Sequence, residues 1–160
     1  MAVDYFLKIK GIEGESTDDK HKNEIDVLSW SWGESQTGSA ASGGGSGAGK
    51  VTMQDFTFVM KVNKASPKLI KACATGEHIP EAVLVCRKAG KGQQEFLTIK
   101  LSDCLVTSFQ TGGSGGSDFE TDSISLNFAK INYEYRAQKA DGSLDGPIKA
   151  GYDLTANKEI

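Results

Sequence analysis

The sequence predicts a mainly β protein of about eight antiparallel strands, arranged as a barrel or a sandwich, with one short flanking α-helix at about residues 66–75. Apolar and polar residues alternate along most of the chain, which is the period of a strand with one buried face. That period changes to a helical one once, and Gly-rich turns join the alternating segments. A βαβ fold would need a helix after nearly every strand and is therefore excluded. We expect one domain, residues 1–160.

The first half of the chain predicts three strands. Alternation opens the chain from Val3 to Ile9 and returns at residues 25–33 and 51–62. In the second strand Leu28, Trp30 and Trp32 share one apolar face, and Ser29 and Ser31 lie on the other. We expect the two tryptophans to pack in the core, because large aromatic side chains dominate cores.

The predicted helix has a start signal and a stop signal. Ser66 is a good N-cap, Pro67 suits the first helical position and Gly76 can take the left-handed conformation that ends a helix. Leu69 and Cys73 share its apolar face. These features predict a short amphipathic helix lying on a sheet.

The second half of the chain predicts further strands. They cover residues 82–88, 95–101, 104–110, 118–138 and 151–155. In the longest of these the apolar residues change parity near Ala129, which predicts a bulge or a bend there.

Composition excludes several classes of function. The 18 Lys and Arg residues against 21 Asp and Glu give a net charge of -3, so no nucleic-acid partner is expected. The longest apolar run, residues 82–86, is far shorter than the ~20 residues that a transmembrane helix needs. The opening residues lack the pattern of a signal peptide, so we expect the chain to begin in the cytoplasm and not to insert into a membrane.

The cysteines and histidines predict no metal site and no cofactor. Cys73, Cys86 and Cys104 have spacings that fit neither a disulfide framework nor a zinc site, and we interpret them as small buried packing residues. His21 and His78 are too isolated along the chain to suggest a transition-metal site.

Two glycine-rich segments look like catalytic motifs. Residues 44–50 resemble a phosphate-binding loop, but Val51 stands where magnesium coordination needs Ser or Thr. Residues 112–116 fit the G-x-S-x-G pattern of a nucleophile elbow, but no helix pattern follows and both histidines precede Ser114. We therefore interpret both segments as flexible loops and expect no enzymatic activity.

Several ordered segments resemble a known family. They are EIDVLSWSWG at residues 24–33, DFTF at 55–58, SPKL at 66–69, ACATG at 72–76 and ISLNFA at 124–129. Together with the first nine residues and residues 152–158, these segments are similar to the haemolysin-coregulated protein (Hcp) family of bacterial type VI secretion, over essentially the whole chain.

The resemblance implies an antiparallel β-barrel with one flanking helix that serves as a structural subunit of a secreted tube. It further implies that the subunits form homohexameric rings that stack into the inner tube, are driven out by a contractile sheath together with a tip spike protein, and carry effectors in the lumen. The resemblance also implies export through this apparatus without a signal peptide. The alternative is a small-ligand or carbohydrate-binding β domain, in which Trp30 and Trp32 would be exposed stacking platforms.

Two groups of residues are candidate sites under this interpretation. Ser31, with Ser29 as a weaker companion, is a candidate lumen position that contacts effectors, since small hydroxyl groups suit a passage for unlike cargo. The alternation leaves open whether these serines face the lumen or the outside. The loop at residues 34–50 is a candidate contact between stacked rings. Its named members are Gly38, Gly43, Gly44, Gly45 and Lys50.

Overall fold

The structure, a computed structural model, describes residues 2–38, 50–90 and 92–160. The strands in this part of the chain are β1 (Val3–Ile9), β2 (Ile25–Val27), β3 (Ser29–Ser31), β4 (Glu34–Ser35), β5 (Thr52–Met53), β6 (Phe56–Lys61), β7 (Ile79–Lys88), β8 (Glu95–Gly112), β9 (Thr121–Tyr135), β10 (Ile148–Asp153) and β11 (Lys158–Glu159). The helix α1 spans Ser66–Thr75. All the ladders are antiparallel.

The strands follow a circuit around one core. The main sheet has the order β11-β10-β9-β8-β7-β1-β2, and β6 pairs with both β9 and β3. Because β2 continues through Leu28 into β3, the path from β9 through β8, β7 and β1 returns through β3 and β6 to β9. The expected fold class, a mainly β antiparallel barrel with one helix, is confirmed.

The core is built from the inward side of every long strand. Phe56, Phe58 and Met60 of β6 are fully buried, as are Ile124 and Leu126 of β9, which pairs with β6. Burying an apolar side chain of this size contributes roughly 1.5–3 kcal/mol. The alternation of β6, and of β9 up to Phe128, therefore gives the two strands a common inward face.

The helix has the expected bounds but a different N-cap. Ala65 occupies the N-cap position and makes no side-chain capping hydrogen bond. The expected cap, Ser66, lies inside the helix, where its hydroxyl donates to the buried Asp122 carboxylate at 2.5 Å. Gly76 ends the helix in the left-handed conformation, as predicted (φ 69°). The N-cap prediction was wrong because a buried carboxylate on β9 uses the hydroxyl of Ser66.

The expected strand at residues 25–33 is broken at Leu28. The chain bends there between β2 and β3, and the Leu28 side chain is 45% exposed. Before the bend the odd residues Ile25 and Val27 face the core, whereas after it the even residue Trp30 does. The prediction that Leu28 shares one apolar face with the tryptophans was therefore wrong.

Strands β8 and β9 bend together. β8 was expected as two strands but is continuous, since Asp103 takes a left-handed backbone conformation (φ 55°) without ending the ladder to β9. In β9 the buried parity changes from Phe128 to Ile131, which confirms the bend predicted near Ala129. Beyond this bend β9 pairs with β10, and before it β9 pairs with β6.

Candidate functional site

Small hydroxyl side chains line the outer face of the sheet formed by β3, β6, β9 and the second half of β8. Ser31 lies opposite Thr57, Thr57 opposite Ser125 and Ser125 opposite Ser108, so one continuous row of hydroxyl residues crosses all four strands. Directly opposed residues point to the same side of a sheet. The next row on this side contains Ser29, Val59, Ser123 and Gln110.

We call this surface the hydroxyl face, defined by Ser29, Ser31, Thr57, Ser108, Ser123 and Ser125. Within it the Thr57 and Ser125 hydroxyls lie 3.0 Å apart and form a hydrogen bond. Ser29, Ser31 and Ser108 are exposed. Both rows consist of uncharged residues.

The sheet that carries the hydroxyl face has a pairing edge at each side. In the described residues β3 pairs with β6 alone, and the part of β8 beyond Cys104 pairs with β9 alone. An exposed leucine accompanies each edge, Leu28 at 45% and Leu105 at 41% exposure. Open edges of this kind offer backbone N–H and C=O groups to another strand.

The outer surface of the barrel formed by β1, β7, β10 and the remaining parts of β8 and β9 carries charged side chains, unlike the hydroxyl face. We call it the charged face, defined by Asp4, Lys8, Arg87, Lys100, Glu134 and Lys149 on β1, β7, β8, β9 and β10. At one end of it the Arg87 side chain, 3% exposed, lies over the Phe6 ring at 4.7 Å. Its guanidinium donates to both carboxylate oxygens of Asp18, at 3.0 and 2.6 Å, and to Asp4 at 3.2 Å.

This ion pair fixes the segment before β2 onto the charged face. The hydrogen bond from Arg87 lowers the pKa of Asp18 from its ordinary 3.8 to about 2. Close by, the buried His21 ring stacks on Phe6, with its nitrogens 3.0 Å from Glu24 and 2.7 Å from Glu95. His21 looked isolated in the sequence because Glu95, which folding brings next to it, is distant along the chain.

The structure describes two of the five candidate stacking residues. Gly38 and Lys50 are exposed at the two ends of the segment. Gly43, Gly44 and Gly45 lie outside the described residues, as does most of the phosphate-loop-like motif. The first two residues of the expected loop instead form the strand β4, which pairs with β5 just beyond Lys50 as a two-stranded sheet.

The tryptophans pack against the core but are half-buried. Trp30 stacks on Phe56 with 6.0 Å between the ring centroids, and Tyr5 meets it edge-on at 6.3 Å. Trp32 lies 6.4 Å from the Phe128 ring. The prediction of core packing is confirmed, although each ring keeps one part at the surface.

The cysteines differ from one another in burial. Cys86 and Cys104 are buried, and that burial raises the pKa of each thiol to about 12. Cys73 on the helix is half-buried and packs at the margin of the core. The expectation that all three are buried is thus correct for two of them.

The G-x-S-x-G segment forms a turn between strands. Gly112 ends β8, and the Ser114 hydroxyl lies 3.0 Å from the Ser117 hydroxyl. The imidazoles are engaged elsewhere, His21 with two glutamates and His78 with Asp103. Across residues 2–38, 50–90 and 92–160, no cluster of three or more His, Cys, Asp or Glu side chains could hold a metal ion. In that same part of the chain, α1 is too short and too polar to span a membrane.

Two of the six hydroxyl-face residues were predicted from the sequence. Ser29 and Ser31 were recognisable because they alternate with tryptophans, whereas Thr57, Ser108, Ser123 and Ser125 were not predicted. The signal was present as S-I-S in β9 and T-F-V in β6. It becomes a surface only through the register of β3, β6, β9 and β8.

These features define a class: an antiparallel β-barrel with open sheet edges, one outer surface of small hydroxyl residues and another of charged residues. A family model described as "Type VI secretion system effector, Hcp" matches residues 6–135. The chain is 55% identical over 159 residues to Protein hcp1 of Pseudomonas aeruginosa, covering 98% of each chain.

Solved structures agree with this assignment. The chain resembles Hcp1 from Salmonella typhimurium with a TM-score of 0.83, 41% identity and 100% of both chains covered. A second structure, described as a type six secretion system protein, has a TM-score of 0.94 and 32% identity over 99% of this chain and all of its own. The chain belongs to the Hcp family and is a tube subunit of the bacterial type VI secretion system.

Proposed function

We propose that this subunit assembles into homohexameric rings whose lumen is lined by the hydroxyl face, and that effectors travel against that face. The observation that carries the proposal is the row Ser31, Thr57, Ser125 and Ser108 across four strands. A passage for different cargo proteins needs a surface of small groups that bind weakly. A hydroxyl group can exchange a hydrogen bond to water for one to the cargo at little net change in free energy. The charged face then lies on the outside of the ring.

The open edges support a ring of identical subunits. If the free edge of β8 in one copy pairs with β3 in the next, the contact joins two different patches and repeats around an axis. Such pairing continues the hydroxyl face from one subunit to the next and removes both exposed edges. Leu28 and Leu105 would lose water at the same contacts, which favours assembly.

Stacking of rings is proposed to use the loop at residues 34–50, including Gly38, Gly43, Gly44, Gly45 and Lys50. The small sheet of β4 and β5 holds the two ends of this loop together. Removing residues 39–46 is expected to leave single rings intact and to shorten stacks in electron micrographs. Loss of the ring itself would contradict this assignment.

The wider partners follow from membership of the family. We propose that the assembled tube meets a contractile sheath outside and a tip spike at its end, and that it leaves the cytoplasm through the secretion apparatus without a signal peptide. The resemblance supports each of these partners. No reaction is required of the subunit in this role.

The lumen assignment is tested by Ser31→Gln. Ser31 is exposed on the hydroxyl face, so a glutamine at this position in every subunit would narrow the lumen without disturbing the core. The variant is expected to form rings and to be secreted, but to lose co-purification with at least one effector. Ser102→Gln, on the part of β8 that pairs with β7 and outside the hydroxyl face, is the matched control and should retain cargo. Unchanged cargo binding by assembled Ser31→Gln rings would remove Ser31 from the lumen.

A further inference from the structure

The hydroxyl face depends on a β-bulge in β8. Val106 lies opposite Leu126, but the next pair joins Ser108 to Ser125, so Thr107 is an extra residue in β8. A bulge of this kind shifts every later residue of its strand by one position against the partner.

That shift decides which side chains reach the face. With the bulge, Ser108 stands beside Ser125, and Phe109 lies opposite Ile124 and packs on the core. If Thr107 were an ordinary ladder residue, Phe109 would lie opposite Ser123 and project from the outer face. The bulge therefore keeps the Phe109 ring off this surface and places Gln110 opposite Ser123 instead.

The bulged residue is held by a carboxylate from another strand. The Thr107 hydroxyl donates to Asp55 Oδ2 at 2.6 Å, and the Asn127 amide Nδ2 donates to Asp55 Oδ1 at 3.0 Å. Asp55 immediately precedes β6, whereas Thr107 and Asn127 belong to β8 and β9. One carboxylate thus ties the extra residue to the two strands that carry the centre of the hydroxyl face.

We propose that Asp55 is a positioning residue for this face: its two hydrogen bonds hold the bulge at Thr107, and so keep Ser108 on the face and Phe109 away from it. The relevance of this to cargo rests on the lumen function proposed above. Hydrogen bonds to an ionised group are roughly twice as strong as neutral ones, which suits a carboxylate to the task.

The chain offers a matched set of variants. Asp55→Ala removes both acceptors, and Thr107→Val removes the hydroxyl while keeping the shape of the side chain. Thr107→Ser keeps the hydroxyl. The double variant Asp55→Asn with Asn127→Asp reverses the amide and the carboxylate, so that both hydrogen bonds and the net charge are preserved. Asp141→Ala removes another hydrogen-bonded carboxylate at a distant turn.

Two readouts report on the bulge. Amide hydrogen exchange follows residues 106–110, and fluorine NMR of 4-fluorophenylalanine at position 109 reports how far that ring meets solvent. Asp55→Ala and Thr107→Val are expected to lower amide protection there about tenfold or more and to increase the solvent isotope shift of the fluorine signal. Thr107→Ser, the reversed pair and Asp141→Ala should remain within about threefold of the parent.

The outcomes separate this proposal from the lumen function. Unchanged protection in Asp55→Ala, or failure of the reversed pair to restore it, would overturn the role of Asp55. If Asp55→Ala does not fold, Thr107→Val decides the question. A disturbed bulge with unchanged effector binding would support the positioning role and contradict the lumen function.

Discussion

The hydroxyl face and the charged face belong to the same barrel and share two strands, yet they are built differently. The hydroxyl face is neutral and is held by a hydroxyl pair, Thr57 with Ser125. The charged face is held at one end by a buried guanidinium with two carboxylates. A single bend can therefore give one strand two different outer surfaces. In β8 near Asp103 and in β9 near Ala129, the outward-facing side chains change from odd to even positions or the reverse.

The largest effect on stability is expected on the charged face. Arg87→Met keeps a long side chain but removes the guanidinium, and with it the cation–π contact to Phe6 and the donors to Asp18 and Asp4. We expect the free energy of unfolding to fall by about 2–4 kcal/mol, measured by urea denaturation. Arg136→Met is the control, since that guanidinium is exposed and donates to the Asp145 carbonyl. Equal effects of the two variants would contradict the importance given to the ion pair.

Acid should weaken the charged face selectively. Because the folded pKa of Asp18 is lowered to about 2, its stabilisation is fully present above 3.8 and is lost as the pH falls through about 2. The free energy of unfolding, measured by denaturation across this range, should therefore decrease as the pH falls. Asp18→Asn should show a shallower decrease. An identical pH profile in the variant would refute this assignment.

Thiol labelling tests the sealed interior beneath the two faces. Cys86 and Cys104 are buried with pKa values raised to about 12, so little thiolate forms at neutral pH and reagents should reach them only on unfolding. Half-buried Cys73 should react first. Mass spectrometry of tryptic peptides after limited labelling gives the order, and early modification of Cys86 would show that the interior is open.

The smallest effect is expected on the hydroxyl face itself. Thr57→Val removes the hydrogen bond to Ser125 and keeps a β-branched side chain in the strand. The free energy of unfolding should change by less than about 1 kcal/mol in the isolated subunit. A loss as large as that of Arg87→Met would mean that this face serves stability more than passage.

Local pattern was sufficient to predict several elements of the fold, but not where every strand begins and ends. The alternation of Val3–Ile9, the helix signals from Pro67 to Gly76 and the parity change near Ala129 each rest on neighbouring residues, and all three are present in the structure. Ser66 failed as a cap because its partner, Asp122, is distant in sequence. The face of Leu28 was predicted wrongly because the chain bends at this residue. No residue type signals that bend, and after it the even-numbered rather than the odd-numbered residues face the core.

The site was less predictable for the same reason. Ser29 and Ser31 were visible through their alternation with Trp30, but the rest of the hydroxyl face depends on strand register. The bulge at Thr107 shifts that register, and its anchor Asp55 is far away in sequence. Long-range pairing of this kind leaves little trace in a single sequence.

The structure of the assembled ring, determined by electron cryo-microscopy, would show which face lines the lumen. We expect Ser31, Thr57, Ser125 and Ser108 to point toward the ring axis and Lys100 and Lys149 to point outward. A ring in which the charged face lines the lumen, with Ser31 on the outer surface, would overturn the lumen assignment.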